Sequence, residues 1–366
     1  MTVELSSFER KLPASFRERV GAVIYDLPRF VWSMRPSPRN AWIYFCNRDE
    51  KLLCANEKGV ACGWRWTSDL HLAKVYPSLG RHVMKRALRE WPIELGRASS
   101  GLSDSPEVSF IIGHRGAERL PHLRLTLESI KSQRHASVEC IVVEQSVTPE
   151  IARHLPGWVK YVHTGIDGSM PYCRAWAFNV GARIAKGEVV VLHDNDLLVP
   201  REYAKEVRNR FEEGFEVINL KRMIFCFSSS GTRRVIQEET LSETPESIVQ
   251  NAQGGSLAVS RDAYLELGGF DEEFVGWGGE DNEFWERAQT RRVWSYGYLP
   301  FVHLWHPSQP GKFNPNRATA GLYERRSGIP PADRIAELIQ RDFGRLGSLA
   351  AVGWREIDLN QTSCVE

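Results

Sequence analysis

Lys186-Gly-Glu-Val-Val-Val-Leu-His193-Asp194-Asn-Asp196-Leu-Leu-Val-Pro200 is the stretch that decides the fold. Residues 189–192 are a short apolar run, the pattern of a strand buried on both faces. The run leads into two carboxylates on alternate positions, Asp194 and Asp196. Alternation puts positions i and i+2 on one side of an extended chain. Open α/β sheets bind ligands beyond the carboxyl ends of their strands. Two carboxylates there can hold a hard divalent cation, and the cation can bridge a diphosphate. An isolated Asp-x-Asp is common, and it is the buried strand before it that gives this one meaning.

Downstream lies Gly268-Gly-Phe-Asp-Glu-Glu-Phe-Val-Gly-Trp277-Gly278-Gly279-Glu280-Asp281-Asn-Glu-Phe-Trp-Glu-Arg287. Glycines let the backbone approach a ligand closely, and Trp277 among them offers a large face for a sugar ring. Glu280 and Asp281 stand at the first turn of an amphipathic helix. The bland reading is a helix start, where acids are favoured by the dipole. The other is a mobile loop attached to a fixed carboxylate pair, as suits an enzyme that excludes water before moving a group. Further on, Phe301-Val-His303-Leu-Trp-His306-Pro307 sets two histidines three apart after an apolar stretch. Each alone reads as structural. With carboxylate oxygens nearby, imidazole nitrogens suit manganese better than calcium or structural zinc.

These pieces, in this order, resemble the GT-A glycosyltransferases, and among them the β-1,4-galactosyltransferase-like group. The resemblance runs with breaks from about residue 108 to residue 317. Val108-Ser-Phe-Ile-Ile-Gly-His-Arg115 is similar to the family's first strand and donor-binding turn, and Cys140-Ile-Val-Val-Glu144-Gln145-Ser to its second strand. Tyr172-Cys-Arg174-Ala-Trp-Ala-Phe-Asn179-Val-Gly181 resembles the helix whose Arg and Asn face the nucleotide. Asp194-Asn-Asp196 matches the metal motif, and Gly254-Gly255-Ser-Leu-Ala-Val-Ser260 the segment leading to the lid. Trp277 to Asp281 matches the lid and carboxylate, and His306 with Lys312-Phe-Asn314-Pro-Asn316-Arg317 the late metal ligand and its tail.

The resemblance implies an α/β fold of GT-A (Rossmann-like) type and a role for each matching residue. Asp281 is expected as the general base, with Glu280 on the acceptor sugar. Arg115, Glu144, Gln145, Arg174, Asp194, Gly255, Trp277, Gly278 and Gly279 are expected around the donor. Asp196 and His306 are expected to hold Mn²⁺ (or Mg²⁺), with Asp194 and His303 as further candidates; His303 stands where the animal galactosyltransferases carry a Met ligand. Gly113-His114 stands where many members carry Pro and an aromatic, and Gly116-Ala117 replaces a more basic stretch.

Global properties suit such an enzyme. The chain has 366 residues, with no apolar run of transmembrane length and no signal-peptide pattern around Glu4, Glu9 and Arg10. Its seven cysteines, at 46, 54, 62, 140, 173, 226 and 364, are odd in number and mostly in apolar contexts. Free thiols in a reducing compartment follow; the animal members of the family it resembles are membrane-anchored and lumenal, and the lack of such an anchor implies a cytoplasmic enzyme, bacterial or otherwise. Residues 1–100 carry 17 Lys and Arg against 10 Asp and Glu, a surplus of +7, whereas residues 101–366 carry 30 against 36, or −6. The turn-rich stretch at 97–106 reads as a linker.

We therefore expect a small basic α+β module over 1–100, a catalytic domain over 106–320 and a C-terminal helix and tail over 321–366. In the first part, residues 41–46, 51–54 and 60–64 read as short strands and 79–91 as a helix. Cys46, Cys54 and Cys62 lack a Cys-x-x-Cys pair and read as packing residues rather than a zinc site. The basic surplus suits docking on anionic lipid at the inner face of a membrane or on a phosphate-bearing acceptor, or merely a solvated surface; no nucleic-acid motif accompanies it. Residues 227–249 read as a polar loop near the acceptor, or as a disordered insertion. Residues 331–343 read as a helix with Ile335, Leu338 and Ile339 on its apolar stripe and Arg334, Arg341 and Arg345 in solvent.

The reading is a metal-dependent, inverting transferase that moves galactose or N-acetylgalactosamine from a UDP-sugar to a saccharide or glycoside hydroxyl. Lipid-linked acceptors are included, and the setting is bacterial surface polysaccharide or glycoconjugate synthesis. Two alternatives stay open. One is a non-catalytic nucleotide-sugar-binding relative, the other a metal-dependent phosphohydrolase or nucleotidyltransferase built on the same Asp pair.

Overall fold

The strand expected at residues 189–192 lies at the middle of a seven-stranded mixed sheet. The structure, a computed structural model, describes residues 14–36, 40–48, 50–56, 58–62, 68–96, 103–166, 168, 170–250, 252–308, 312 and 317–345. Gly63-Trp64, most of the expected linker (97–102), residues 313–316 and the last twenty-one residues, 346–366, lie outside these.

In chain order the sheet strands are β1 (Val108–His114), β2 (Val138–Ser146), β3 (Val159–Gly165), β4 (Val189–His193), β5 (Val217–Ile218), β6 (Ser256–Ser260) and β7 (Val293–Trp294). Side by side they run β7-β5-β6-β4-β1-β2-β3. β1 is parallel to β2 and β4, and β6 is antiparallel to β4 and β5. All of β1, β2 and β4 is buried, and the apolar runs within them, 110–112, 140–143 and 189–192, do not alternate with polar residues. Phe110 and Ile112 point into one hydrophobic cluster and Ile111 into another on the opposite face. Helix α1 (Leu120–Lys131) links β1 to β2, and α2 (Arg174–Ile184) precedes β4 and packs on β1 and β2.

Register sets the site. Ile112 of β1 lies beside His193 of β4, so the turns after these two strands leave the sheet together. A second sheet of five strands follows the order Ser68–Asp69, Ser247–Gln250, Lys221–Cys226, Leu299–His303, Leu197–Leu198. In it His303 pairs with Leu197, which brings the histidine strand next to Asp196.

Several expectations change. Residues 41–46 are not a strand: Ala41–Tyr44 is a 3₁₀ turn. The carbonyls of Ile43 and Phe45 accept from the Arg222 guanidinium (2.6 and 2.8 Å) instead of joining a ladder. The hairpin Leu52–Asn56/Gly59–Cys62 and the helix Pro77–Glu90 are present. Trp42, Phe45, Val83 and Met84 share one core with Phe110 and Val191, and Ser68–Asp69 is an edge strand of the second sheet. The described residues among 14–96 thus contribute to the same core as the main sheet. Cys46 is buried, but Cys54 is exposed on the hairpin, so it is no packing residue.

The polar stretch at 227–249 is not one loop. Ser229–Glu238 is helix α3, with the Ser228 hydroxyl capping it by accepting from the Gly231 N–H, and Ser247–Gln250 is a strand. Thr232 and Val235 are buried on its inner side. Helix α4 (Glu280–Ala288) follows the glycine-rich loop, and α5 (Pro331–Leu338) packs on it. Arg334 is not solvated: it is buried and bonds Glu283 (3.2 Å) and Glu286 (2.8 Å) of α4. Arg341 pairs with Asp271 (3.1 Å), and Ile339 of the expected apolar stripe is exposed. Among the described residues no helix is long and apolar enough to cross a membrane.

Candidate active site

The turns after β1 and β4, the start of α2, the glycine-rich loop with the start of α4, and the segment after His303 converge on one cavity of about 600 Å³. Gly113 near the end of β1 admits a tyrosine: a Cβ there would lie 2.2 Å from the Tyr172 hydroxyl. His114 is buried and held near pKa 4 by that burial, hence neutral. Its Nε2 donates to the Gly116 carbonyl (3.0 Å), leaving Nδ1 to accept from the Asn195 amide (3.0 Å). Arg115 lines the cavity and donates to the Met170 carbonyl (2.6 Å). Arg119 donates to Asn195 (2.9 Å) and to the Asp196 carboxylate.

Backbone bonds staple the turn that carries the two aspartates. The Asp194 N–H donates to Gly255 (2.8 Å), and the Asp196 carbonyl accepts from Leu304 (2.9 Å). The two side chains then take different partners. Asp194 accepts from Arg174 Nε (2.8 Å). Asp196 faces Arg119 and both histidines, with His303 Nε2 at 3.5 Å and His306 Nε2 at 3.4 Å. Burial works against the Asp196 charge, but His303, Arg119 and His306 outweigh it and hold the carboxyl at about 2.

Asp196, His303 and His306 each offer a ligand atom, all within 4.8 Å of one another. Burial lowers His306 to about 4, so its ring is neutral. With Nδ1 donating to the Pro307 carbonyl (2.7 Å), the Nε2 lone pair is turned toward Asp196 Oδ2. A lone pair facing a carboxylate oxygen is repulsive unless a cation lies between. The buried Asp196 Oδ1 has no hydrogen-bond partner, the mark of an oxygen reserved for something else. The donor set, one carboxylate and two imidazoles, fits a divalent transition ion.

At the other wall, Arg174 Nη1 donates to Asp281 (2.6 Å) and lies 3.6 Å from Glu280. The guanidinium thus spans Asp194 and Asp281. These two carboxylates raise it further above its usual range although burial opposes the charge. Glu280 is buried, and burial, with Asp281 alongside, raises it to about 7. Gly254 leaves room for the pair, since a Cβ there would lie 2.1 Å from Asp281 Oδ2. Trp277 lines the cavity; its carbonyl accepts from Thr319 (2.7 Å), and Lys312 and Arg317 lie 5.0 and 4.9 Å from its ring centre.

Other expected donor contacts lie elsewhere. Glu144 is fully buried below the cavity, accepting from Tyr161, Ser146 (2.9 Å) and the Glu150 N–H (3.0 Å). Gln145, also buried, brackets the Cys173 peptide, donating to its carbonyl (2.6 Å) and accepting from its N–H (3.0 Å). It therefore fixes the residue before Arg174 rather than lining the cavity. Asn179 does not face the cavity either: it donates to the Phe270 carbonyl (2.8 Å) and anchors the turn before the loop. Gly255, Gly278 and Gly279 shape the backbone without lining the cavity.

Sequence reasoning passed over Arg119, Tyr172, Asn195, His122 and Thr232. Trp305, beside His306, is gripped from both sides, its N–H donating to Thr232 (2.7 Å) and its carbonyl meeting His122 Nε2 (2.8 Å). The partners are 73 and 183 residues away, so no local pattern announces them.

Comparisons with known proteins match parts of the chain. Residues 111–264 match the model of glycosyl transferase family 2, and residues 243–298 match that of the N-terminal domain of galactosyltransferase. A probable N-acetylgalactosaminyltransferase 9 of Caenorhabditis elegans is 33% identical over 97 residues, 25% of this chain and 16% of that protein. The chondroitin synthase of Escherichia coli is 37% identical over 68 residues, 19% of this chain and 10% of that protein. The human chondroitin sulfate N-acetylgalactosaminyltransferase 2 is 26% identical over 159 residues, 39% of this chain and 28% of that protein. The chain thus matches less than a third of the length of each of these relatives. The crystal structure of the catalytic domain of Drosophila β1,4-galactosyltransferase 7 with xylobiose is similar at a TM-score of 0.35 and 16% identity, over 62% of this chain and 82% of that one.

Proposed function

We propose that the chain, a GT-A glycosyltransferase that matches family 2 over residues 111–264 and the galactosyltransferase model over residues 243–298, transfers galactose or N-acetylgalactosamine from a UDP-sugar to a saccharide hydroxyl with inversion. A nucleotide-sugar donor and a saccharide acceptor follow from the family. The sugar is our inference, supported by the Trp277-Gly-Gly-Glu-Asp loop and by the names of the matching relatives. The observation that carries the reading is one cavity lined by Asp196 and His306, which group with His303, and by Asp281 on the first turn of a helix.

Asp196, His303 and His306 would hold Mn²⁺ or Mg²⁺, which when bound supplies positive charge against the departing diphosphate. Arg115 and Arg119, on the turn after β1, are placed to add guanidinium donors to the same phosphates. Asp281 takes the proton of the acceptor hydroxyl as its oxygen attacks the anomeric carbon. The bond from that carbon to the diphosphate breaks on the opposite face, and UDP leaves with the electron pair. Arg174 holds Asp281 in place, and Glu280, protonated up to about pH 7, can donate a hydrogen bond to an acceptor oxygen. Trp277 covers the reacting sugars and excludes water.

Asp281→Asn tests the reading. It should lower kcat ~10²–10⁴-fold, the usual worth of a general base, with UDP-sugar affinity nearly unchanged. A loss confined to donor binding would remove Asp281 from the role of base. Release of UMP or phosphate in place of UDP would instead identify a hydrolase or nucleotidyltransferase.

A further inference from the structure

Near the amino terminus the chain runs through Phe16–Gly21, a π turn at Ala22–Asp26 and Leu27–Ser33 as one unbroken helical segment. It packs on the protein through Ala22, Asp26, Phe30 and Ser33, which are buried. The side turned to water carries large apolar residues among its arginines. Phe16 is 84% exposed, Ile24 59%, Val31 58% and Trp32 45%, with Val20, Val23 and Tyr25 exposed beside them. A surface helix ordinarily carries charged side chains there. An apolar stripe of this extent marks a surface that is covered in use.

Charge says what covers it. Arg17, Arg19, Arg29 and Arg35 are exposed along the same segment, and its acidic residues are Glu18 and the buried Asp26. Arg48 adds a guanidinium 5.2 Å over the Tyr25 ring. The segment belongs to the part of the chain with the surplus of +7, whereas residues 101–366 carry −6. Arginines beside an apolar stripe favour an anionic surface. Aliphatic side chains together with Tyr and Trp, flanked by arginine, are the composition of a helix lying at the boundary of headgroups and acyl chains.

We propose that residues 16–33 dock the protein on an anionic phospholipid bilayer. Phe16, Ile24, Val31 and Trp32 enter the acyl boundary, and the arginines meet headgroup phosphates. The inference stands apart from the sugar-transfer reading and does not depend on it.

The test is co-sedimentation of the full chain with vesicles of phosphatidylcholine alone and of phosphatidylcholine with phosphatidylglycerol, at low and high salt. The chain should bind the anionic vesicles, leave the neutral ones in suspension and dissociate as salt rises. The double variant Ile24→Ser/Val31→Ser should lose binding by ~10-fold or more, and Arg17→Gln/Arg29→Gln should weaken it and flatten its salt dependence. An unchanged melting temperature shows that the variants fold. Failure of the parent chain to bind anionic vesicles, or equal binding by parent and variants, overturns the proposal. So does a parent chain that runs as a dimer while the serine variant runs as a monomer and neither binds vesicles, because the face is then an interface between copies. Binding that appears only when residues 1–13 are removed overturns it as well, since those residues then occupy the face.

Discussion

Glu280 and Asp281 are neighbours in sequence with different surroundings. Asp281 is partly open to the cavity, whereas Glu280 is buried, and its Oε2 has no hydrogen-bond partner. Burial and the adjacent Asp281 raise Glu280 to about 7 from the ordinary 4.5. Between these values the folded chain holds the proton more tightly than the unfolded chain does. The resulting stability is fully present below pH 4.5 and is lost as pH rises through about 7. Glu280→Gln keeps the shape and removes the titration. In chelator-treated protein the unfolding free energy should then fall less steeply between about pH 5 and about pH 8, by up to ~3 kcal/mol; parallel curves for the two proteins would contradict this. The convergence of Asp194, Asp196, Trp277 and Asp281 was legible because each lies in a motif with its own local signal. Arg119 was not, since a basic residue in a turn after a strand resembles any solvated arginine until its aspartate partner, 77 positions on, is folded against it.

At the scale of elements, two misreadings share one cause: polar residues were assigned to solvent. α3 carries serines and arginines yet buries Thr232, whose hydroxyl receives the Trp305 N–H next to His306. Thr232→Val preserves volume and removes that acceptor, at a cost of ~1–3 kcal/mol for the stranded N–H. It should raise the Mn²⁺ concentration needed for half-maximal donor binding; an unchanged metal titration would show that α3 does not position His306. Arg334 of α5 is likewise buried, between Glu283 and Glu286, and Glu283 is also clasped by the buried Arg287 (2.6 Å). Arg334→Met leaves this carboxylate network short of one cation and should destabilise the fold by ~3–5 kcal/mol in urea unfolding. A loss below ~1 kcal/mol would place the network among weak surface pairs. A helical period reports which positions are buried, not whether a buried position is apolar or an ion pair, and that is why Arg334 escaped the pattern.

For the whole molecule, the α/β class and the central strands were legible because β1, β2 and β4 are buried on both faces and carry the apolar runs 110–112, 140–143 and 189–192. The joining of the described residues among 14–96 to that core was not legible. It depends on Arg222 reaching carbonyls at Ile43 and Phe45, and on a two-residue edge strand at Ser68–Asp69, contacts with no local periodicity. The second sheet that brings His303 beside Leu197 unites five separate segments of the chain, so the histidine–aspartate group is a product of topology rather than of any single motif.

The central claim is that this group holds the metal that binds a UDP-sugar. Calorimetric titration of UDP-galactose and UDP-N-acetylgalactosamine, with and without Mn²⁺, into the parent chain and into Asp196→Asn tests it most directly. The account predicts Mn²⁺-dependent binding of one of the two sugars by the parent chain, weakened by ~10-fold or more in the variant. Donor binding of equal strength with and without metal, or binding untouched by Asp196→Asn, would contradict it.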